Sequence, residues 1–211
     1  HDLRNPLTTL SGFAQVLSAQ TAADEESATK VAIDAINRTT SRLITMVDDL
    51  LAFARTGASD VLLAPVDLDE LMASVVAELD SQIVEAGATV GSGPLGAIEA
   101  DPTLLQQALQ NLVSNALCYT VEGTPPVVRV TRGERDGAVL IAVEDNGPGV
   151  PADERERILE PFARGSASQG RTGSGLGLAI CRRVAEHHGG RLEIGDAPDG
   201  GAVFTLVLPQ P

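Results

Sequence analysis

Two glycine clusters carry the most specific chemistry in this sequence. "EDNGPGV" (144–150) follows directly on an apolar run, and "GSGLGLAI" (173–180) leads straight into "CRRVAEHH". A glycine-rich turn that opens a helix presents unpaired backbone N–H groups at the positive end of the helix dipole, a combination that cradles phosphate. Either cluster by itself is more often a tight structural turn. A third stretch, "NLVSNALCYT" (111–120), sets Asn111 and Asn115 four residues apart on one helical face. Paired amides of this kind commonly serve as caps or core hydrogen bonds, and they are also hard oxygen ligands for a Mg²⁺ that already holds phosphate. In "ILEPFARG" (158–165), Phe162 and Arg164 precede the polar, glycine-rich "SASQGRTGSG". That is the composition of a mobile lid with an aromatic anchor and a phosphate-seeking cation.

The fifth stretch is "HDLRNPL" (1–7). Leu3, Leu7, Leu10, Ala14 and Leu17 alternate in steps of four and three, the stripe of a helix packed against helices. His1, Asp2 and Asn5 lie off that stripe, so the imidazole is placed for a visitor and not for the core. A neutral imidazole is a competent nucleophile near neutral pH, and an adjacent carboxylate can orient it and take its second proton. Pro6 leaves the carbonyl of Asp2 without its helical partner and so loosens the helix beside the histidine. A lone exposed histidine, taken without the other stretches, is a surface residue.

These residues need elements to position them. The heptad pattern resumes after "TAADEES" with Ile33, Ile36, Thr40, Leu43, Val47, Leu50 and Ala54, which predicts an antiparallel helical hairpin. One hairpin has little to bury its two stripes against, so a homodimer forming a four-helix bundle is expected. "TGASDVLLAP" reads as a linker. Asp67 with Glu70 predicts the cap of an amphipathic helix reaching about Glu85, and Asp101-Pro102 starts another running to about Leu117. "PVVRVTR", "GAVLIAVED", "GRLEIGD" and "GAVFTLVLP" read as strands, the last two after a further helix. The expected class is α+β: a helical hairpin, then a mixed sheet covered on one face by helices.

Composition narrows the partners. The 211 residues carry a formal charge of -14, which opposes non-specific attraction to nucleic acid or anionic membrane, so an anionic ligand needs a local, well-built pocket. The core should be aliphatic, with no Trp, one Tyr and four Phe. Cys118 and Cys181 have neither metal-ligand spacing nor a disulfide framework and are expected as free thiols in a reducing compartment. No apolar run approaches the ~20 residues of a membrane span. The chain is expected to be a soluble fragment of a longer protein.

In this order, "HDLRNPL", "NLVSNALCYT", "DNGPG", "EPFARG" and "GSGLGLAI" closely resemble the H, N, G1, F and G2 boxes of bacterial two-component sensor histidine kinases. The resemblance covers nearly the whole chain. It implies a dimerisation and histidine-phosphotransfer hairpin over 1–56, a linker over 57–65, and an ATP-binding domain over 66–211 with the two-layer α/β sandwich of the gyrase, chaperone and histidine kinase type. It further implies His1 as phosphoacceptor with Asp2 as its base or orienter, and Asn5 as a holder of water for phosphatase activity toward the regulator. Asp145 would read the adenine amino group, Tyr119 would line the adenine pocket, and Asn115, with Asn111 beside it, would bind Mg²⁺. Gly147, Gly149, Gly173, Gly175, Leu176 and Gly177 would bring backbone to the nucleotide, with Phe162 and Arg164 at the lid and Arg164 on the phosphates. ATP, Mg²⁺, a second copy of the chain and a response-regulator receiver domain are the implied ligands and partners. The implied location is the cytoplasmic face of the bacterial inner membrane, to which the parent protein would be anchored.

Two features depart from that pattern. Cys118 stands where the N box commonly has Lys or Arg, removing one phosphate-directed cation. "HHGG" (187–190) could suggest a metal site, but adjacent His187 and His188 before glycines read better as a helix C-terminal cap. An ATP-driven conformational machine of the gyrase or chaperone type is the alternative, along with a nucleotide-binding scaffold without catalysis. The machine requires an acidic residue where Asn111 stands and has no use for the H box.

Overall fold

The computed structural model describes residues 33, 34, 36, 37, 40, 43–51, 62–168, 174–198 and 200–210. Two compact units divide the chain, residues 1–54 with 172–174, and residues 55–171 with 175–211. His1, Asp2, Asn5, Gly173 and the first heptad stripe fall outside the described residues.

In the first unit, the described residues between 33 and 51 are helical (α1). The heptad splits into two columns. Ile33 and Thr40 are buried, whereas Ile36, Leu43 and Leu50, also seven apart, are 48%, 43% and 50% exposed. One chain therefore covers one column and leaves the other open.

The second unit is an α+β layer structure. Strands β1 (Ala64–Asp67) and β3 (Ala97–Ala100) pair antiparallel. The main sheet has the order β2-β4-β5-β7-β6, built from β2 (Thr89–Ser92), β4 (Val127–Arg135), β5 (Ala138–Asp145), β6 (Arg191–Asp196) and β7 (Ala202–Pro209). Only the β2–β4 pair is parallel. Buried residues alternate along the first half of β4 and along β5, because successive side chains point to opposite faces and helices cover one of them.

Four α-helices belong to this unit among the described residues. In α2 (Leu68–Glu78) the Asp67 carboxylate accepts from the N–H groups of Asp69 and Glu70, the cap that the sequence predicts. The single helix expected to reach Glu85 is broken at Leu79, and α3 (Asp80–Ala86) follows. Leu79 is 2% exposed while α3 buries none of its residues, so the break keeps one leucine in the core and turns the next segment outward. Strand β1 begins at Ala64, inside the stretch read as linker, and β2 and β3 are additions to the four strands expected.

Helix α4 (Pro102–Cys118) starts where the sequence places it, with Pro102 in the first turn and Asp101 Oδ1 accepting from Thr103 and Leu104 N–H. Leu105, Leu109 and Leu112 are fully buried, each contributing ~1.5–3 kcal/mol. They lock the helix rotation that puts Asn111 and Asn115 beside the buried stripe. Helix α5 (Gly177–His187) packs on α4. At its end His188 is the cap residue and Gly189 takes φ +72°, as the "HHGG" reading requires. The His188 ring also joins the two helices. Its Nε2 accepts the Asp101 N–H at 2.9 Å, which leaves Nδ1 as the protonated nitrogen donating to the Val184 carbonyl at 2.7 Å.

Candidate active site

Asp145 ends β5, where it pairs with Val128 of β4, and the ladder to β7 reaches its neighbour Glu144, so its backbone is held in the middle of the sheet. Oδ1 accepts the N–H of Gly147 at 2.8 Å and of Ala202 at 3.1 Å. The side chain is half-buried, and burial raises its pKa above the ordinary aspartate value although both N–H groups pull the other way. The G1 turn that follows is close-packed. A Cβ on Gly147 would overlap the carbonyl oxygen of Tyr119 and come within 2.9 Å of Asp145 Oδ1. Tyr119 is the C-terminal cap of α4, its N–H bonded to Asn115 O, so the G1 turn lies against the backbone at the end of the N box. Asn146 fastens the turn to the start of β4, accepting from Val127 N–H and donating to Pro125 O.

The N and G2 boxes also meet. A Cβ on Gly177, the first residue of α5, would lie 3.5 Å from Asn111 Oδ1 and 3.8 Å from Asn115 Nδ2. The start of α5 has no side-chain cap and no acidic residue in its first turn. Two neutral amides thus border a helix N-terminus without a side-chain cap: the amide oxygens suit a hard cation such as Mg²⁺, and the helix N–H groups suit phosphate.

The residues on either side of the glycine-rich stretch meet through their backbones. Phe162 N–H donates to Gly175 O at 2.9 Å, and both residues take positive φ, +65° and +76°. A Cβ on Gly175 would sit 2.9 Å from the Phe162 carbonyl carbon, so only glycine allows this crossing. The aromatic anchor expected at Phe162 is corrected here: the ring is 60% exposed, and the backbone makes the attachment. Arg164 donates to Ser168 O at 2.8 Å. Glu154 collects the Ser166 N–H and hydroxyl and the Arg157 guanidinium, and the Ser166 N–H foremost holds its pKa below the usual glutamate value. Leu176, expected beside the nucleotide, is 1% exposed; its side chain is core, and only its backbone can belong to the site.

The structure thus brings Asn111, Asn115 and Gly177 together in one cluster, and Tyr119, Asp145 and Gly147 in another. It adds residues the sequence reading missed. Gly201, at φ +95°, lies so close that a Cβ would overlap the Asp145 carbonyl oxygen, and its own carbonyl oxygen would be 3.2 Å from a Cβ on Gly149. Arg155 ties the same corner, its Nε donating to Val150 O and its NH2 to Asp196 at 2.5 Å. The adjacent glycines in "DGGAVF" were the available signal.

Residues 100–211 match the family model of histidine kinase-, DNA gyrase B- and HSP90-like ATPases, and residues 1–59 match the His Kinase A (phospho-acceptor) domain. The chain belongs to the sensor histidine kinases. This kinase core is 36% identical, over its whole length and 40% of the relative's, to the signal transduction histidine-protein kinase AfsQ2 of Streptomyces coelicolor. Among solved structures it is similar to full-length ShkA in complex with AMPPNP, with TM-score 0.74 and 33% identity over 100% of this chain and 44% of that one. It is also similar to the kinase ThkA in complex with the response regulator protein TrrA, with TM-score 0.68 and 27% identity over 100% of this chain and 59% of that one. The kinase core spans between 23% and 55% of the length of the curated relatives it matches.

Proposed function

We propose that this chain is an ATP-dependent protein-histidine autokinase core that passes the γ-phosphoryl group to His1 and then to an aspartate of a response-regulator receiver domain. The observation that carries the reading is the Asp145 carboxylate, fixed through one oxygen by two backbone N–H groups, with the glycine-lined G1 turn beside it. Its second oxygen is the acceptor for the adenine amino group, with Tyr119 along the base. Asn115, with Asn111 beside it, holds the metal; Gly147, Gly149, Gly173, Gly175 and Gly177 admit the nucleotide, and Phe162 and Arg164 belong to the lid. When bound, Mg²⁺ supplies charge neutralisation across the phosphates, the main requirement of phosphoryl transfer.

The imidazole of His1 attacks the γ-phosphorus. An N–P bond forms as the bond to the bridging oxygen breaks, ADP departs, and the proton on the other ring nitrogen passes to Asp2. Asn111 is an amide and cannot deprotonate water, so ATP persists until the imidazole arrives. Asn5, four residues from His1 in the sequence, positions a water toward the phosphorylated regulator. We assign residues 1–56 to the phosphoacceptor hairpin, 57–65 to the linker and 66–211 to the ATP-binding domain; the family matches over 1–59 and 100–211 support two domains in this order, and β1 draws the start of the second back to Ala64. The open column Ile36, Leu43 and Leu50 supports a homodimer, and the ThkA–TrrA complex supports a receiver-domain partner. No helix among the described residues is long and apolar enough to cross a membrane, and anchoring to the inner membrane is proposed for the parent protein alone.

Incubation with γ-labelled ATP and Mg²⁺ tests the reading. The label should be acid-labile and base-stable, and should vanish in His1→Gln with ADP affinity unchanged; label surviving at another residue removes His1. Asn115→Ala should weaken only the Mg²⁺-dependent part of ATP binding. Asn5→Ala should lose regulator dephosphorylation and keep autophosphorylation, whereas Asp2→Asn should do the reverse; parallel loss in both variants would end the division of labour.

A further inference from the structure

The carboxylate that faces the base is not positioned by its own loop alone. A carboxylate oxygen offers about two acceptor directions. At Asp145 Oδ1 both are taken, one by Gly147 in the G1 turn and one by Ala202, 57 residues further on. Oδ2 has no protein partner among the described residues. The Ala202 N–H is available because Ala202 opens β7 at the end of the β6–β7 ladder, just beyond a turn closed by Gly200 N–H to Ala197 O and Ala197 N–H to Gly201 O.

Three contacts press that turn against the G1 loop. Gly201 lies against the Asp145 carbonyl in a space no Cβ could share, and the Gly201 carbonyl lies over Gly149. Arg155 links Val150 to Asp196 at the end of β6. The approach is possible only at a glycine with φ near +95°. Its consequence is chemical: with Oδ1 saturated by fixed donors, Oδ2 is the one acceptor free to meet a base, and its direction is fixed before any ligand arrives.

Resting on the reading of Asp145 as the adenine-recognising group, we infer that the β6–β7 turn, through Gly201 and the Ala202 N–H, is a specificity-determining element that orients Asp145 Oδ2 toward a 6-amino purine and against a 6-oxo purine. Gly201 and Ala202 are positioning residues that act through Asp145. A base bearing a 6-oxo group would bring an acceptor against an acceptor, the mismatch that gives hydrogen-bonding sites their largest discrimination.

The test is calorimetry of ADP and GDP binding to the wild-type chain, Gly201→Ala and Asp145→Asn. The wild type should prefer ADP, and Asp145→Asn should abolish that preference. Gly201→Ala should lower the ADP:GDP affinity ratio by about tenfold or more, as misaligning one charge-assisted hydrogen bond requires. A purely structural role weakens both nucleotides alike, so an unchanged ratio overturns the inference. Persistence of the ADP preference in Asp145→Asn overturns the adenine reading itself, and the inference with it. A measurement on the unmutated chain covers the case in which Gly201→Ala does not fold. In an NMR pH titration, the amide resonances of Gly147 and Ala202 should both follow the Asp145 carboxyl carbon with one shared midpoint. An Ala202 amide indifferent to that ionisation overturns the inference.

Discussion

Asp145→Asn is the substitution whose outcome the structure specifies most fully. The two N–H donors on Oδ1, from Gly147 at 2.8 Å and Ala202 at 3.1 Å, accept no replacement but an oxygen. The asparagine must therefore place its carbonyl there, which turns its NH₂ toward the base. On the proposed reading of Asp145, the adenine amino group then meets a donor in place of an acceptor. Losing a charge-assisted hydrogen bond and leaving opposed donors costs about 3 kcal/mol, roughly a 150-fold drop in ADP affinity. GDP, whose 6-oxo group accepts from the new NH₂, should lose far less or gain. Stability should not fall. Burial raises the Asp145 pKa in the folded chain above its unfolded value, so the ionised carboxylate opposes folding at every pH above that raised value, and a neutral amide removes the opposition. The assay pairs calorimetry with ADP and GDP against thermal melts at neutral pH. Unaltered ADP affinity, or equal losses for the two nucleotides, or a lowered melting point that accounts for the weaker binding, would refute the reasoning.

Three further outcomes follow from the same geometry. Gly177→Ala meets only ordinary contacts, 3.5 Å from Asn111 Oδ1 and 3.8 Å from Asn115 Nδ2, so it should stabilise α5 by up to about 1 kcal/mol in chemical denaturation while weakening Mg·ATP binding by filling the space between amides and helix start. ADP affinity should decline on the acid side through the raised Asp145 pKa, at higher pH than an ordinary aspartate would give, because the acceptor must be ionised; the acid limb should be missing in Asp145→Asn. Cys181 is fully buried, donates to Ala108 O, and has its thiol pKa pushed up by burial, so a maleimide should label half-buried Cys118 in the native chain and Cys181 only after unfolding.

Much of this chain is written in short-range signals. Asp67 and Asp101 cap their helices from two and three residues away, Pro102 suits a first turn, and the four-residue step from Asn111 to Asn115 fixes a shared face whatever surrounds it. The apolar runs of β4, β5, β6 and β7 and the order of the five boxes are equally local, so the α+β class and the family were legible without coordinates. The weak strands were not. "TVGS" and "AIEA" are four residues each and are strands only because β4 and β1 stand beside them to pair with, and the break at Leu79 reflects what the core will accept at that point.

The site divides along the same line. The residue types of the proposed site were legible in the sequence, since a carboxylate, two amides and glycines before a helix carry their chemistry wherever they stand. Their working geometry was not, because it depends on contacts across long stretches of chain. That Phe162 attaches by its backbone with its ring outward follows from a crossing with Gly175, and the Leu176 side chain belongs to the core because α5 packs on α4. The hold of Ala202 on Asp145 spans 57 residues and exists only because β7 pairs with β5 in one register and Gly201 has no Cβ. Local signals act within a turn of helix or a single strand, whereas the direction of a lone pair in this site is set where three strands meet, and only the folded sheet brings them there.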